Sequence, residues 1–228
     1  MSTERVKIPK ERHEKLDWKR LIVVLENAPI EPVKVGNGYK LATTDSPDTL
    51  KELEKRGKDK TFYRPDILHY TLLTLLDSPL NKAGMLQVFI RTHNNILIEV
   101  NPQIRLPRTY KRFAGLMVQL LHKLSIHASD GPEKLLTVIK NPVTDYFPPG
   151  CKIFGLSYSS EHLVNINKAV ADVVKDDNCA VFVIGAFAHG KIDIDYTNVT
   201  MAISNYPLSA ACVAGKVCSA FEDLWGIL

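Results

Sequence analysis

The strongest constraint on the fold is a regular alternation of apolar runs and amphipathic segments near the C-terminus. Apolar runs at residues 152–158, Cys179–Gly185 and 200–204 are typical of strands, and residues 161–174 and 209–225 have the apolar spacing of helices. This alternation predicts an α/β fold with a parallel sheet that is covered on both faces. Because ligands bind such sheets outside the carboxyl ends of the strands, we expect a binding site in the loops that follow them.

The preceding part of the chain adds a β-hairpin and helices to this predicted sheet. An apolar β-branched run indicates a buried strand, and the turn His93-Asn94-Asn95 indicates a hairpin. The predicted elements are a strand at 20–25, helices at 48–60 and 67–76, a hairpin of 86–92 and 96–101, an amphipathic helix at 113–124, and a short helix at 133–140.

The N-terminal segment differs in composition from the rest of the chain. Residues 1–20 contain seven basic and four acidic side chains and no apolar run. We expect a flexible arm at 1–19, either a solvated tail or a weak RNA-binding arm, followed by one domain at 20–228. No apolar stretch reaches the roughly 20 residues of a membrane helix, so we expect a soluble intracellular protein.

The four cysteines are Cys151, Cys179, Cys212 and Cys218, and no Cys-x-x-Cys motif occurs. The histidines are scattered, so no metal site is predicted. Buried reduced thiols are the expected state, with a zinc site or a redox pair as the alternative.

A loop with glycines at its ends follows the apolar strand Cys179–Gly185. The sequence Gly185-Ala-Phe-Ala-His-Gly190-Lys191 matches the start of the phosphate-binding pattern Gly-x-x-x-x-Gly-Lys. Ile192 replaces the Ser or Thr that would bind magnesium, and acidic residues follow it. The loop is therefore interpreted as one that lets its backbone approach an uncharged or cationic ligand, with a P-loop NTPase as the alternative.

A second loop has the sequence Ile203-Ser-Asn-Tyr-Pro-Leu-Ser209 and leads into a helix rich in small residues. From the residues alone, this is a strand-to-helix turn in which Ser209 is the N-cap.

Basic residues are concentrated in the middle of the chain. No acidic residue lies between Glu99 and Asp130, whereas five Lys or Arg and two His do. Arg108, Lys111 and Arg112 are spaced to share one helix face, with Arg105 just before it. Guanidinium groups match phosphate oxygens, so this cluster predicts RNA or phosphate binding, with a solvated basic face as the alternative.

The sequence Arg64-Pro65-Asp66 precedes the leucine-rich segment 67–76. A proline in the first turn of a helix is well placed, and an acidic residue there is favourable. Asp66 either only begins the helix or holds Arg64 toward a ligand, and the sequence leaves both interpretations open.

Taken together and in this order, these segments resemble the SPOUT-class methyltransferases that modify N1 of pseudouridine in small-subunit ribosomal RNA. The resemblance extends over about residues 20–228. It rests on the stretches Arg64-Pro-Asp-Ile-Leu-His69, Leu75-Leu-Asp-Ser-Pro-Leu-Asn-Lys-Ala-Gly84, Ile96-Leu-Ile-Glu-Val-Asn-Pro102, Arg105-Leu-Pro-Arg-Thr-Tyr-Lys-Arg112, Ser204-Asn-Tyr-Pro-Leu-Ser209 and Glu222-Asp-Leu-Trp225. The stretch 191–201 does not match well.

The resemblance implies an S-adenosylmethionine-dependent enzyme with a SPOUT-type parallel sheet, a C-terminal trefoil knot and an inserted RNA-binding region of hairpin and helix. It implies that Arg64 and Asp66 form the catalytic pair, with Asp66 steadying Arg64, and that Arg64, Arg105, Arg108 and Arg112 contact RNA. The residues implied to line the cofactor pocket are Leu156, Gly185, Gly190, Ile203, Ser204, Asn205, Tyr206, Pro207 and Leu208.

The resemblance also implies a setting for the activity. We expect a homodimer that acts on small-subunit ribosomal RNA during ribosome assembly, with other assembly factors as further partners. The expected location is the nucleolus, or the cytoplasm if the source is archaeal. The alternative function is a non-catalytic RNA-binding assembly factor with the same fold.

Overall fold

The computed structural model describes residues 8–9, 12–129, 131–173, 179–190 and 194–228. The strands are β1 (Arg20–Ala28), β2 (Pro32–Val35), β3 (Gly38–Leu41), β4 (Leu86–Thr92), β5 (Leu97–Val100), β6 (Ser125–His127), β7 (Lys134–Ile139), β8 (Lys152–Leu156), β9 (Cys179–Gly185) and β10 (Val199–Met201). The helices are α1 (Arg12–Asp17), α2 (Pro47–Lys55), α3 (Pro65–Asp77), α4 (Pro79–Lys82), α5 (Tyr110–Lys123), α6 (Ile166–Val173) and α7 (Ala210–Trp225), with 3₁₀ turns at Lys60–Phe62 and Val143–Tyr146.

One central sheet carries the fold, with the strand order β10-β8-β9-β1-β4-β5-β7-β6. The pairs from β10 to β4 are parallel, and the pairs from β4 to β6 are antiparallel. The α/β class is confirmed, but the sheet is mixed rather than wholly parallel. The predicted hairpin of β4 and β5 forms as expected and begins the antiparallel half.

Alternate residues of β1 pack into two different apolar clusters. Leu21, Val23 and Leu25 lie in the larger cluster with α3 and α7, whereas Ile22 and Val24 lie in the cluster on the other face. This strand is buried on both faces, which is why it appears in the sequence as an uninterrupted apolar run.

Three of the predicted helices differ in the structure. Residues 134–139 form the strand β7 between β5 and β6, so the helix predicted at 133–140 is wrong. The helix predicted at 161–174 begins only at Ile166, because Leu163 forms a β-bridge with Ala202 and holds the preceding residues extended. The helix predicted at 48–60 ends at Lys55, just before Gly57 adopts a φ of 62°.

The end of the predicted flexible arm makes specific contacts with the sheet. Lys15 in α1 forms an ion pair with Glu99 at 2.6 Å, and the Trp18 indole donates a 2.9 Å hydrogen bond to the Gly84 carbonyl. Lys15 and Trp18 therefore contact the domain, and the flexibility of an arm at 1–19 stays a prediction. Residues 1–7, 10 and 11 lie outside the described part of the chain.

Within the described ranges, the helices are all too short or too polar to cross a lipid bilayer.

Candidate functional site

A cavity of about 280 Å³ lies at the carboxyl ends of β8 and β9. This is the position that a parallel sheet offers to a ligand, because the strand ends and the following loops leave a crevice there. The start of α7 and one residue of α3 close the remaining sides. The lining residues are Ile67, Leu156, Ser157, Tyr158, Ile184, Gly185, Phe187, Ala188, Gly190, Met201, Ile203, Ser204, Tyr206, Leu208, Ser209, Ala210 and Val213.

No charged side chain occurs among these described lining residues. The cavity offers backbone groups, hydroxyls and apolar surface, so it suits a ligand that is neutral or carries a positive charge. A phosphate group would find no basic partner in the described lining.

The loop after β9 brings its backbone to the cavity. Gly190 adopts a φ of 125°, and a Cβ at this position would lie 3.3 Å from the Phe187 ring. Both the backbone conformation and the space therefore favour glycine.

After the gap at residues 191–193, the described chain continues in turns and then β10, with no helix. A phosphate-binding P-loop requires a helix here, so the described chain does not support the NTPase alternative. Lys191 itself lies outside the described residues.

The turn between β10 and α7 forms the opposite wall. Ser204 accepts a 3.0 Å hydrogen bond from the Tyr206 backbone N–H, and Ser209 caps α7 by accepting from the Cys212 N–H at 3.2 Å. The predicted N-cap is confirmed. Tyr206 is 74 % exposed and stands at the mouth of the cavity.

The structure brings most of the predicted pocket residues together. Leu156, Gly185, Gly190, Ile203, Ser204, Tyr206 and Leu208 line the cavity, whereas Asn205 and Pro207 belong to the same turn but not to the lining. Sequence reasoning missed Ile67, which comes from α3 and has no motif that points to the pocket. It also missed Ile184 and Met201, which lie on strands whose carboxyl ends could have indicated them. The binding roles of all these residues stay predictions.

Arg64 and Asp66 are not among the lining residues, but they lie at the start of α3, just before Ile67, which lines the cavity. The Arg64 Nε and Nη2 groups donate hydrogen bonds of 2.8 and 2.7 Å to the two Asp66 carboxylate oxygens. Hydrogen bonding to Asp66 raises the pKa of the Arg64 guanidinium, and partial burial opposes part of this rise. The ion pair proposed from the sequence is thus confirmed, and it leaves Arg64 Nη1 able to donate elsewhere.

The arginine cluster is exposed but is not arranged as one helix face. Thr109 is the N-cap of α5, so Arg105 and Arg108 precede the helix and only Lys111 and Arg112 lie on it. Arg108 also forms an ion pair with Asp77 at the end of α3, with Nη2 at 3.0 Å from Oδ1. A carboxylate from outside the acid-free stretch between Glu99 and Asp130 therefore partly neutralises the cluster. Asp77 is distant in sequence, and only the fold brings it there.

Glu26 contacts the loop after β9 through its backbone and contacts Tyr196 through its buried carboxylate. Glu26 pairs in register with Gly185, and its carbonyl accepts a 2.8 Å hydrogen bond from the Ala186 N–H. Its carboxylate accepts a 2.7 Å hydrogen bond from the Tyr196 hydroxyl and lies 3.4 Å from Arg91. Burial raises the pKa of Glu26, although Tyr196 and Arg91 oppose this, and burial with the nearby Glu26 charge raises the pKa of Tyr196.

Metal ligands are not clustered in the described part of the chain, where three or more His, Cys, Asp or Glu nowhere come together.

Comparison with known proteins gives one consistent family. The family model described as "EMG1/NEP1 methyltransferase" matches residues 23–222. "Ribosomal RNA small subunit methyltransferase NEP1" of Mus musculus is 55 % identical over 214 residues, which are 94 % of this chain and 85 % of the mouse protein. The Homo sapiens protein of the same name is 54 % identical over the same shares of both chains. "Ribosomal RNA small subunit methyltransferase Nep1" of Staphylothermus marinus is 36 % identical over 188 residues, 78 % of this chain and 76 % of that protein.

A similar fold occurs among solved structures. The crystal structure of Archaeoglobus fulgidus Nep1 bound to S-adenosylhomocysteine superposes with a TM-score of 0.68 and covers 91 % of this chain and 99 % of that one. Because the two sequences are 23 % identical, this likeness concerns the fold alone.

Proposed function

The chain belongs to the EMG1/NEP1 methyltransferase family, and from this premise we propose that it methylates small-subunit ribosomal RNA at N1 of a pseudouridine, with S-adenosylmethionine as methyl donor. The names of the relatives support the RNA substrate. The archaeal structure contains S-adenosylhomocysteine, which is what remains of the donor after transfer. The observation that carries the proposal is the Arg64–Asp66 pair at the start of α3, just before Ile67, which lines an uncharged cavity at the strand ends.

The residues of the cavity fit this donor. Gly185 and Gly190 let the backbone approach an adenosine closely, and the apolar side chains of Leu156, Ile203 and Leu208 offer contact for its flat base. The donor when bound supplies an electrophilic methyl group on a sulfonium cation. A lining without Lys or Arg among the described residues does not repel that cation.

The chain's own contribution to the reaction is to position the target base. Asp66 holds the Arg64 guanidinium in one orientation through two hydrogen bonds, so Arg64 can bind the RNA next to the cavity. Both carboxylate oxygens of Asp66 are engaged by Arg64, which favours a positioning role for Asp66 over that of general base. The base must leave its stack to reach the cavity, which favours a target in an RNA loop.

The exposed arginines extend the RNA surface away from the cavity. Arg105, Arg108 and Arg112 surround the start of α5, and Arg108 pairs with Asp77 at the end of α3 opposite to Arg64. We assign to them contacts with RNA phosphates rather than with bases, because their long exposed side chains suit a repeating charged backbone.

The finer features implied by the resemblance belong to the same proposal. A C-terminal trefoil knot is supported by the strand order, since β10 lies outside β8 and α7 then returns to pack near α3. A homodimer is supported by apolar side chains at the β10 edge, where Leu163 is 48 % and Val199 41 % exposed. We also propose a nucleolar location and contact with other assembly factors, which suit a protein whose relatives in mouse and human are named small-subunit ribosomal RNA methyltransferases.

The decisive experiment measures methyl transfer from labelled S-adenosylmethionine to two matched RNA hairpins. One hairpin carries pseudouridine and the other uridine at the same loop position, and small-subunit RNA from cells that lack the enzyme serves as a third substrate. Label on the pseudouridine hairpin alone supports both the reaction and its base specificity. Equal label on both hairpins refutes the specificity. No label on any RNA, with no cofactor binding by calorimetry, favours the non-catalytic assembly factor.

A further inference from the structure

Three side chains form a row at the amino-terminal edge of the sheet, opposite the cavity. Arg20 at the start of β1 pairs in register with Cys179 at the start of β9. Lys152 of β8 pairs with Ala180, which places Cys151 opposite Cys179. Side chains of directly opposed residues point to the same face of a sheet, so Cys151, Cys179 and Arg20 are consecutive neighbours on one face.

The two thiols in this row are close enough to react. The Cys151 Sγ lies 3.1 Å from the Cys179 Sγ, and Cys151 is partly exposed whereas Cys179 is buried. A disulfide needs a sulfur separation of about 2.05 Å and Cα atoms about 4.4–6.8 Å apart. Adjacent strands, at about 4.8 Å, meet the second condition. A sulfur displacement of about 1 Å therefore suffices to form the bond.

Arg20 places a buried positive charge beside this pair. It has no exposed surface, and its Nε donates to the Gln87 side-chain oxygen at 2.8 Å. Its Nη1 donates to the Trp18 carbonyl at 2.9 Å and to the Lys15 carbonyl. Its Nη2 is buried and has no hydrogen-bond partner among the described residues. These acceptors are all neutral, so within the described part of the chain no carboxylate in hydrogen-bond contact balances the charge.

The Arg20 guanidinium interacts electrostatically with both sulfurs of the row. Burial lowers the pKa of the Arg20 guanidinium, and attraction to Cys179, Cys151 and the more distant Glu99 opposes this lowering. A thiolate formed at either cysteine would be attracted to this buried cation. A thiolate is the reactive form in disulfide exchange.

We propose that Cys151 and Cys179 are a reversible disulfide-forming site, served by a small disulfide of the oxidised-glutathione class and activated by Arg20. The more exposed Cys151 thiolate attacks the small disulfide, forms a mixed disulfide and releases one thiolate. The Cys179 thiolate then attacks the Cys151 sulfur, closes the protein disulfide and releases the second small thiolate. Two electrons pass from the protein to the small disulfide, and the two protein thiol protons end on the two released thiols.

The disulfide would join β8 and β9 at their amino ends, whereas the cavity lies at their carboxyl ends. Leu156 and Gly185 lie at the carboxyl ends of β8 and β9, whereas the thiols lie at or next to the amino ends. Oxidation is therefore expected to join the strand pair covalently without obstructing the cavity.

The first test exposes the full chain to glutathione redox buffers, followed by rapid alkylation and mass spectrometry. The chain offers two matched controls. Cys212 is exposed, and Cys218 is buried, with a pKa that burial raises to about 12. We expect the loss of two hydrogen atoms and a peptide pair linked through Cys151 and Cys179. Cys212→Ser and Cys218→Ser should keep this product, and Cys151→Ser or Cys179→Ser should abolish it. Glutathione adducts at Cys212 without the linked peptides would overturn the proposal.

The second test concerns Arg20, in a chain that carries both control substitutions. Arg20→Lys keeps the charge and should keep the alkylation rate of Cys151 near pH 7, whereas Arg20→Gln should lower it about tenfold. If Arg20→Gln does not fold, the pH profile of alkylation in the folded chain is compared with that in urea. Identical pH profiles would contradict the proposal that Arg20 activates Cys151.

Discussion

Arg108 and Asp77 form an ion pair that joins the start of α5 to the end of α3, although 31 residues separate them in the chain. The side chains are 69 % and 45 % exposed, so the pair contributes little to stability. Under the proposed function its importance lies in charge, because RNA phosphates would have to compete with Asp77 for Arg108.

We expect Asp77→Asn to raise the affinity for RNA by about three- to tenfold at low salt, because it removes a negative charge and frees Arg108. Filter binding or fluorescence anisotropy at several salt concentrations should show this, together with a steeper salt dependence. Glu54→Gln is the control, since Glu54 forms a similarly exposed pair with Lys60 elsewhere. Weaker RNA binding by Asp77→Asn alone would mean that Asp77 orients Arg108 rather than competes for it.

The Arg64–Asp66 pair gives a prediction that separates positioning from proton transfer. Asp66→Asn should weaken RNA binding and lower methyl transfer together, by about ten- to a hundredfold, because a bidentate charged contact is lost. Asp48→Asn, which removes an exposed pair with Lys40, should leave both unchanged. If kcat falls while the Kd for RNA and the cofactor stays constant, Asp66 acts as the base instead.

The Gly190 backbone gives a prediction about the cofactor. Gly190→Ala introduces a side chain at a φ of 125° and 3.3 Å from Phe187. The strain of about 1–3 kcal/mol should displace the loop and weaken S-adenosylmethionine binding about five- to a hundredfold. Calorimetric titration measures the effect, and Gly38→Ala is the control because an added Cβ there meets no atom within 4 Å. Unchanged affinity would exclude this loop from the cofactor site.

Glu26 and Tyr196 predict a pH dependence of stability. The pKa of Glu26 is raised in the folded state. Its contribution to the free energy of unfolding therefore becomes less favourable as the pH rises from the ordinary Glu pKa through the raised one. The free energy of unfolding of Glu26→Gln, relative to the unaltered chain, should therefore increase over this interval. Urea unfolding from about pH 4 to pH 7 measures the difference.

Tyr196→Phe is the complementary variant for the same pair. It removes the 2.7 Å hydrogen bond to the buried carboxylate and should cost about 1–3 kcal/mol at neutral pH. In the Glu26→Gln background the cost should be smaller, because the remaining acceptor is neutral. Equal costs in both backgrounds would contradict a charge-assisted bond.

Several features follow from local sequence because their causes are local. The strand β1 is buried on both faces and therefore has an uninterrupted apolar run, and Ser209 caps α7 with a side chain that reaches only three residues ahead. Arg64 and Asp66 pair across a single proline. In the last two cases the interacting groups are neighbours in the chain, so spacing is sufficient information, whereas the burial of β1 is indicated by its composition.

The segment 134–139 shows where local pattern is insufficient. Its apolar residues fit a short helix as well as a strand, and the choice is made by β5, whose free edge supplies backbone hydrogen-bond partners. A strand gains its hydrogen bonds from another part of the chain, so a short segment does not contain the reason for its own conformation.

The alternating elements, the loops that carry the cavity and the basic residues around the start of α5 could be inferred from the sequence. The strand order, the pair of Arg108 with Asp77, and the row of Cys151, Cys179 and Arg20 appear only once the chain is folded. The physical reason is distance along the chain. Periodicity and capping act within a few residues, whereas ion pairs and adjacent strands join residues whose proximity depends on how the whole core packs.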